Sequence, residues 1–155
     1  MTYAIDGLDP SSFAAMIGLD DAALAARGAR RVVADADRGY PCRVTLDDAK
    51  AGESLILFHH VSHDVATPYR SAYAIYIREA ASQAASYVDT PPPVFAGRPL
   101  ALRCFSDAGM LLDARLAAPG EADAALRAAF DNPEVAYIDV HNAAHGCFAA
   151  RATRV

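Results

Sequence analysis

Near the C-terminus the chain reads VAYIDVHNAAHGCFAARATR from Val135 to Arg154. This stretch carries a thiol at Cys147, an imidazole at His141 and a carboxylate at Asp139. Those are the residue types of thiolate catalysis, in which a protonated imidazole favours the sulfur anion and an acid orients the ring. The stretch divides into two strand-like runs, 135–141 and 147–153, around Asn142-Ala143-Ala144-His145-Gly146. With those residues as the turn, His141 lies opposite Cys147, Asp139 opposite Ala149 and Tyr137 opposite Arg151. The other face is then Ala136, Ile138, Val140, Phe148, Ala150 and Ala152, wholly apolar, whereas a one-residue slip mixes the faces. Opposed side chains in such a ladder have Cβ atoms about 4.5–5.5 Å apart, so Cys147 and His141 are expected to be neighbours. A polar strand face also assembles such a trio by chance, and residue types without geometry are weak evidence.

Arginine is the second candidate chemistry. Arg43, Arg70, Arg78, Arg103 and Arg151 fall on or beside expected strands. A planar guanidinium held by a rigid sheet receives a carboxylate or phosphate well. The plainer alternative is that each pairs with a surface acid at little gain, as expected for Arg103 opposite Asp113. Together these residues define a candidate site on the polar face of the last hairpin. Cys147, His141 and Asp139 are its catalytic candidates, and Arg43, Tyr69, Arg78, Tyr137, Asn142 and Arg151 its binding candidates. An anionic metabolite is the ligand class that fits. A reading of another class makes the same face a homodimer or partner interface rich in Tyr and Arg, without chemistry.

Other chemistries lack their residues. His59 and His63 are four apart at a strand end and in a loop, and His141 and His145 flank a turn. That spacing presents two imidazoles together on a helix and not there, so no metal site is expected. No glycine-rich loop joins a strand to a helix and no GxSxG elbow is present, so no nucleotide motif supports a cofactor. Cys42, Cys104 and Cys147 are odd in number without CxxC spacing, and are expected to be reduced thiols.

The elements that position these residues follow from periodicity and punctuation. Asp9-Pro10-Ser11-Ser12 starts a short helix with Phe13, Met16 and Ile17 on one stripe, and Gly18 stops it. A second helix is capped by Asp20, contacts the core through Leu24 and ends at Gly28. Strands are expected at 30–34, 42–46, 54–61 and 72–78. In the third of these, Leu55, Ile56, Leu57 and Phe58 are apolar on both faces, which places it centrally, with the N-terminal helices over one side. Pro91-Pro92-Pro93 belongs to a connecting loop. Residues 100–116 form a hairpin turning at Asp107-Ala108-Gly109, with Leu102, Cys104, Met110 and Leu112 on one face. A helix over 121–130 precedes the final hairpin. The expected fold class is α+β: one domain over residues 1–155, mostly antiparallel sheet, with N-terminal helices and one helix before the C-terminal hairpin.

GYPCR (Gly39 to Arg43), TPYRSAYAIYIRE (Thr67 to Glu79), LRCFSDAGMLLDA (Leu102 to Ala114) and the C-terminal stretch above resemble a bacterial family known as domain of unknown function 1203. The resemblance spans nearly the whole chain. Its distinctive segments are GYPCR and HNA followed by GC, and it implies no activity, cofactor or catalytic residue.

Composition bounds the rest. At 155 residues with 54% hydrophobic and 21% charged residues, the chain is long enough and apolar enough for its own core. A formal net charge of −5 provides no footprint for phosphate backbones, so nucleic acid is not an expected partner. No apolar run reaches the roughly 20 residues that span a bilayer, so no membrane association is expected. The N-terminus has Asp6 and Asp9 where a signal peptide needs a basic start and an apolar run, so a cytoplasmic location is expected.

Overall fold

In a computed structural model of the chain, residues 2–155 are described. Two antiparallel sheets carry the fold. Their strands, in chain order, are β1 (Tyr3–Asp6), β2 (Arg30–Val33), β3 (Ser54–His63), β4 (Ser71–Arg78), β5 (Ser86–Val88), β6 (Leu100–Phe105), β7 (Leu111–Ala117), β8 (Tyr137–Asn142) and β9 (Phe148–Arg154). The larger sheet has the order β5-β1-β9-β8-β6-β7 and the smaller β2-β3-β4. Helices are few: α1 (Asp21–Ala26), α2 (Ala122–Phe130) and 3-10 turns at Pro10–Phe13 and Pro93–Phe95. This is the α+β, mostly antiparallel class read from the sequence. Among the described residues no helix is long and apolar enough to cross a membrane.

The local signals act where they were read. Asp9 accepts from the Ser11 amide to start a 3-10 turn instead of an α-helix, and Asp20 accepts from the Ala23 amide at the start of α1. The central strand is β3, flanked by β2 and β4. Its Ile56 and Phe58 pack with Phe13 and Leu24 of the N-terminal helical segments, while Leu55 faces Ala34 and Ala49 on the other side. Helix α2 lays Leu126, Ala129 and Phe130 over Leu102, Cys104, Ile138, Val140, Ala150 and Ala152 of the larger sheet. That face is the apolar one expected of the final hairpin.

Three expectations change. Residues 42–46 are not a strand: the Leu46 amide bonds to the Cys42 carbonyl, Leu46 has φ 54° and only an isolated bridge ties Cys42 to Tyr76. In the β6–β7 hairpin the turn is at Asp107–Gly109 as read, with Gly109 at φ 76°. A bulge next to Cys104, however, pairs Arg103 with Ala114 and leaves Met110 and Leu112 exposed. Asp113 therefore bonds Arg115, and Arg103 donates to the Tyr73 hydroxyl.

The third change bears on the site. In the β8–β9 hairpin the pairs are Asn142 with Cys147 through the backbone, His141 with Phe148, Val140 with Ala150, Asp139 with Arg151 and Tyr137 with Thr153. A bulge between Val140 and His141 inserts Ala149 as an extra residue. The bulge lets Phe148 turn to the same side as His141 while Ala150 and Ala152 stay on the α2 face, a compromise that simple alternation does not describe.

Candidate functional site

The polar face of β8 and β9 is largely covered, with Asp139 and His141 buried and Arg151 partly exposed. The end of the β3–β4 hairpin lies over it, so the face becomes the contact between the two sheets. His63 bonds the Tyr137 hydroxyl through Nε2 (2.9 Å) and stacks on Phe105 with 4.0 Å between ring centres. Tyr73 meets His141 edge to face, and Arg151 donates to the Ser62 carbonyl (3.3 Å). Asp139 is 1% exposed and His141 2%.

Within this layer the three catalytic candidates part company. Asp139 accepts from Arg151 Nε at 2.6 Å and from Nη2 at 3.0 Å, a bidentate pair across the ladder. The guanidinium also lies 4.3 Å from the Tyr137 ring centre, stacked on its face. His141 Nδ1 lies 2.9 Å from the Gly146 carbonyl, so that nitrogen carries the proton and donates. Burial holds the His141 imidazole below its ordinary pKa, partly opposed by this carbonyl. A neutral, carbonyl-bonded ring is not the imidazolium that the sequence reading set beside Cys147. His141, Asp139, Tyr137 and Arg151 act here in holding the sheets together.

Cys147 has other partners. It sits at the turn end of the hairpin, half-buried, where Arg43 Nη2 and Asn142 Nδ2 both donate to Sγ at 3.3 Å. Of the sequence-derived candidates, the structure thus brings together Arg43, Asn142 and Cys147. Tyr69 and Arg78 lie elsewhere. Tyr69 offers its carbonyl to His63, and Arg78 is committed to Asp47 and Glu53.

These three residues form part of the wall of a cleft of about 570 Å³. Around them stand Tyr73 and Tyr76 from β4, Arg98 and Pro99 before β6, and His145 in the last turn. Such a volume falls within the roughly 300–1,000 Å³ of small-molecule sites. The turn is pinned there because the Ala143 amide bonds to the Pro99 carbonyl.

Arg43 decides the electrostatics. Its side chain is 2% exposed, yet no carboxylate bonds it among the described residues. Nε donates to the Phe148 carbonyl (2.8 Å), Nη1 to the Pro41 carbonyl (2.7 Å) and Nη2 to Cys147 Sγ. A guanidinium has five N–H groups, so three are used and two remain. Burial works against the charge on Arg43, and Cys147 leads the groups that offset it, while nearby Arg98 adds to the burden. Arg98 carries its own counter-ion, Asp48, at 2.7 Å. Asp48 is held below the usual carboxylate range by that pairing despite burial. Among the described residues, no carboxylate stands on the cleft wall to pair with the Arg43 charge.

The residues missed in the sequence are Tyr73, Tyr76, Arg98 and His145. His145 stands between HNA and GC, and Tyr73 and Tyr76 fall within TPYRSAYAIYIRE, segments that carry the resemblance, whereas Arg98 lies in none of them. A family model described as a protein of unknown function (DUF1203) matches residues 39–154. The chain belongs to this family. Every residue of the cleft wall falls within the DUF1203 match. No curated protein and no solved structure matches the chain.

Proposed function

We propose that this DUF1203 protein binds a small anionic organic molecule in the cleft bounded by Arg43, Arg98, Asn142, His145 and Cys147. The observation that carries the reading is the buried Arg43 guanidinium, which has no carboxylate partner and two N–H groups to spare. Burying an unpaired charge is costly, and arginine does not relieve that cost by losing its proton. An anion entering the cleft supplies the missing charge and gains charge-assisted hydrogen bonds. Tyr73, Tyr76, Pro41 and Pro99 give the cleft an apolar lining for a carbon skeleton.

Titration calorimetry with acetate, malonate and inorganic phosphate tests the proposal, with Arg98→Gln and Arg43→Lys beside the native chain. Saturable binding that weakens in both variants and with added salt is the expected result. Binding that is unaltered in both variants, or absent for all three anions at millimolar concentration, contradicts it.

A further inference from the structure

We infer that Cys147 is a nucleophile for small anionic electrophiles held in the cleft, a step that rests on the anion-binding reading above. Three observations converge on its sulfur. Sγ accepts from two nitrogen donors, Arg43 Nη2 and Asn142 Nδ2, both at 3.3 Å. Both nitrogens can only donate, so the sulfur accepts from two directions with a lone pair left for attack. The sulfur belongs to the wall of a cleft large enough for a ligand, whereas Cys42 and Cys104 are fully buried. The same guanidinium that bonds Sγ keeps N–H groups free, so an anionic group bonded to Arg43 is brought next to the sulfur.

The chemistry is nucleophilic substitution or addition–elimination at carbon. The thiol proton leaves to solvent and Sγ donates an electron pair to an electrophilic carbon. An S–C bond forms, and the bond to the leaving group breaks with its pair going to that group. No oxidant, reductant or metal enters the balance. Arg43 contributes twice, by bonding the sulfur and by orienting the substrate's anionic end, and Asn142 bonds the sulfur from the hairpin. The substrate class is therefore a short carboxylate or phosphate whose electrophilic carbon lies within a few bonds of the charge. Neutral electrophiles and long chains lack the contact that positions them.

Iodoacetate and iodoacetamide separate the elements of this inference, since they differ in charge and share the reacting carbon. Alkylation of the full-length protein is followed at each cysteine by peptide mass spectrometry. Cys147 is expected to react fastest of the three. Its rate ratio of iodoacetate to iodoacetamide is expected to exceed that of free cysteine in the same buffer by about tenfold, as local charge steering allows. Asn142→Leu, at a half-buried position, should slow both reagents by a similar factor and leave the ratio in place. A Cys147 rate with iodoacetamide no higher than that of free cysteine overturns the nucleophile. Malonate binding measured by calorimetry on Cys147→Ser then shows whether the anion site stands without it. A fast Cys147 whose ratio equals that of free cysteine overturns the anionic substrate class.

Discussion

Replacing Asp139 by Asn keeps its shape and removes its charge. In the native chain the carboxylate is 1% exposed and accepts from Arg151 at 2.6 and 3.0 Å. An amide in its place retains one acceptor and turns an NH2 group toward the other guanidinium nitrogen. One charge-assisted hydrogen bond is thus lost and a donor is set against a donor. Hydrogen bonds to charged groups contribute about 1.5–3 kcal/mol, and breaking a fully buried ion pair costs about 3–5 kcal/mol. The Arg151 side chain is 36% exposed and can recruit water, which lowers the cost. A loss of about 2–3 kcal/mol follows. Urea unfolding measures it as a fall in midpoint with an unchanged slope. Arg151→Met in a double-mutant cycle should show coupling of similar size, because the two residues touch. Alkylation of Cys147 should be unaltered in folded Asp139→Asn. A loss below about 0.5 kcal/mol, the scale of an ordinary surface change, refutes the structural role. So does slowed Cys147 alkylation at undiminished stability, which restores Asp139 to the chemistry.

Cys104 is fully buried, and burial raises its thiol to about 11, so native-state labelling should spare it; labelling as fast as in denaturant contradicts the packing under α2. Burial also depresses the imidazoles of His60 and His141 in the folded chain. The unfolded chain then binds more protons as pH falls below about 6.5, so stability should decline from about pH 7 to 5. Urea midpoints measured across that range check the sign, and midpoints that rise with acidity refute it. Gly7 passes against the Val44 carbonyl, where an added Cβ would lie 1.9 Å from the oxygen. Gly7→Ala should therefore destabilise by about 2–4 kcal/mol, and a melting temperature unchanged from the native chain shows that this approach is not held.

What was legible in the sequence depended on range. The doubly apolar run at Leu55–Phe58 identified a central strand, the caps at Asp9 and Asp20 marked helical starts, and Gly109 marked its turn, because each signal lies within a few residues of its effect. The four-residue β1 and three-residue β5 were too short to show an alternation. CRVTL at 42–46 alternates like a strand, but its backbone closes on itself at Leu46. The bulge at Ala149 was hidden for a specific reason: one extra residue restores the apolar face beyond it, so the binary pattern looks regular on either side. Covering of the polar face rests on contacts such as His63 with Tyr137, 74 residues apart, and the cleft on Arg43 with Cys147, 104 apart. No local pattern encodes either. Arg43, Asn142 and Cys147 were identified as candidates from residue type, but the partnership among them came from the tertiary fold.

The charge on Arg43, which no carboxylate pairs, is tested most directly by the position of an anion. Crystals of the full-length protein soaked in bromide give anomalous peaks at bound halide, independent of any assumption about the physiological ligand. A peak is expected inside the cleft, in contact with the Arg43 guanidinium and bounded by Asn142 and Cys147. Bromide confined to exposed surface sites, with none in the cleft at a concentration that fills them, contradicts it.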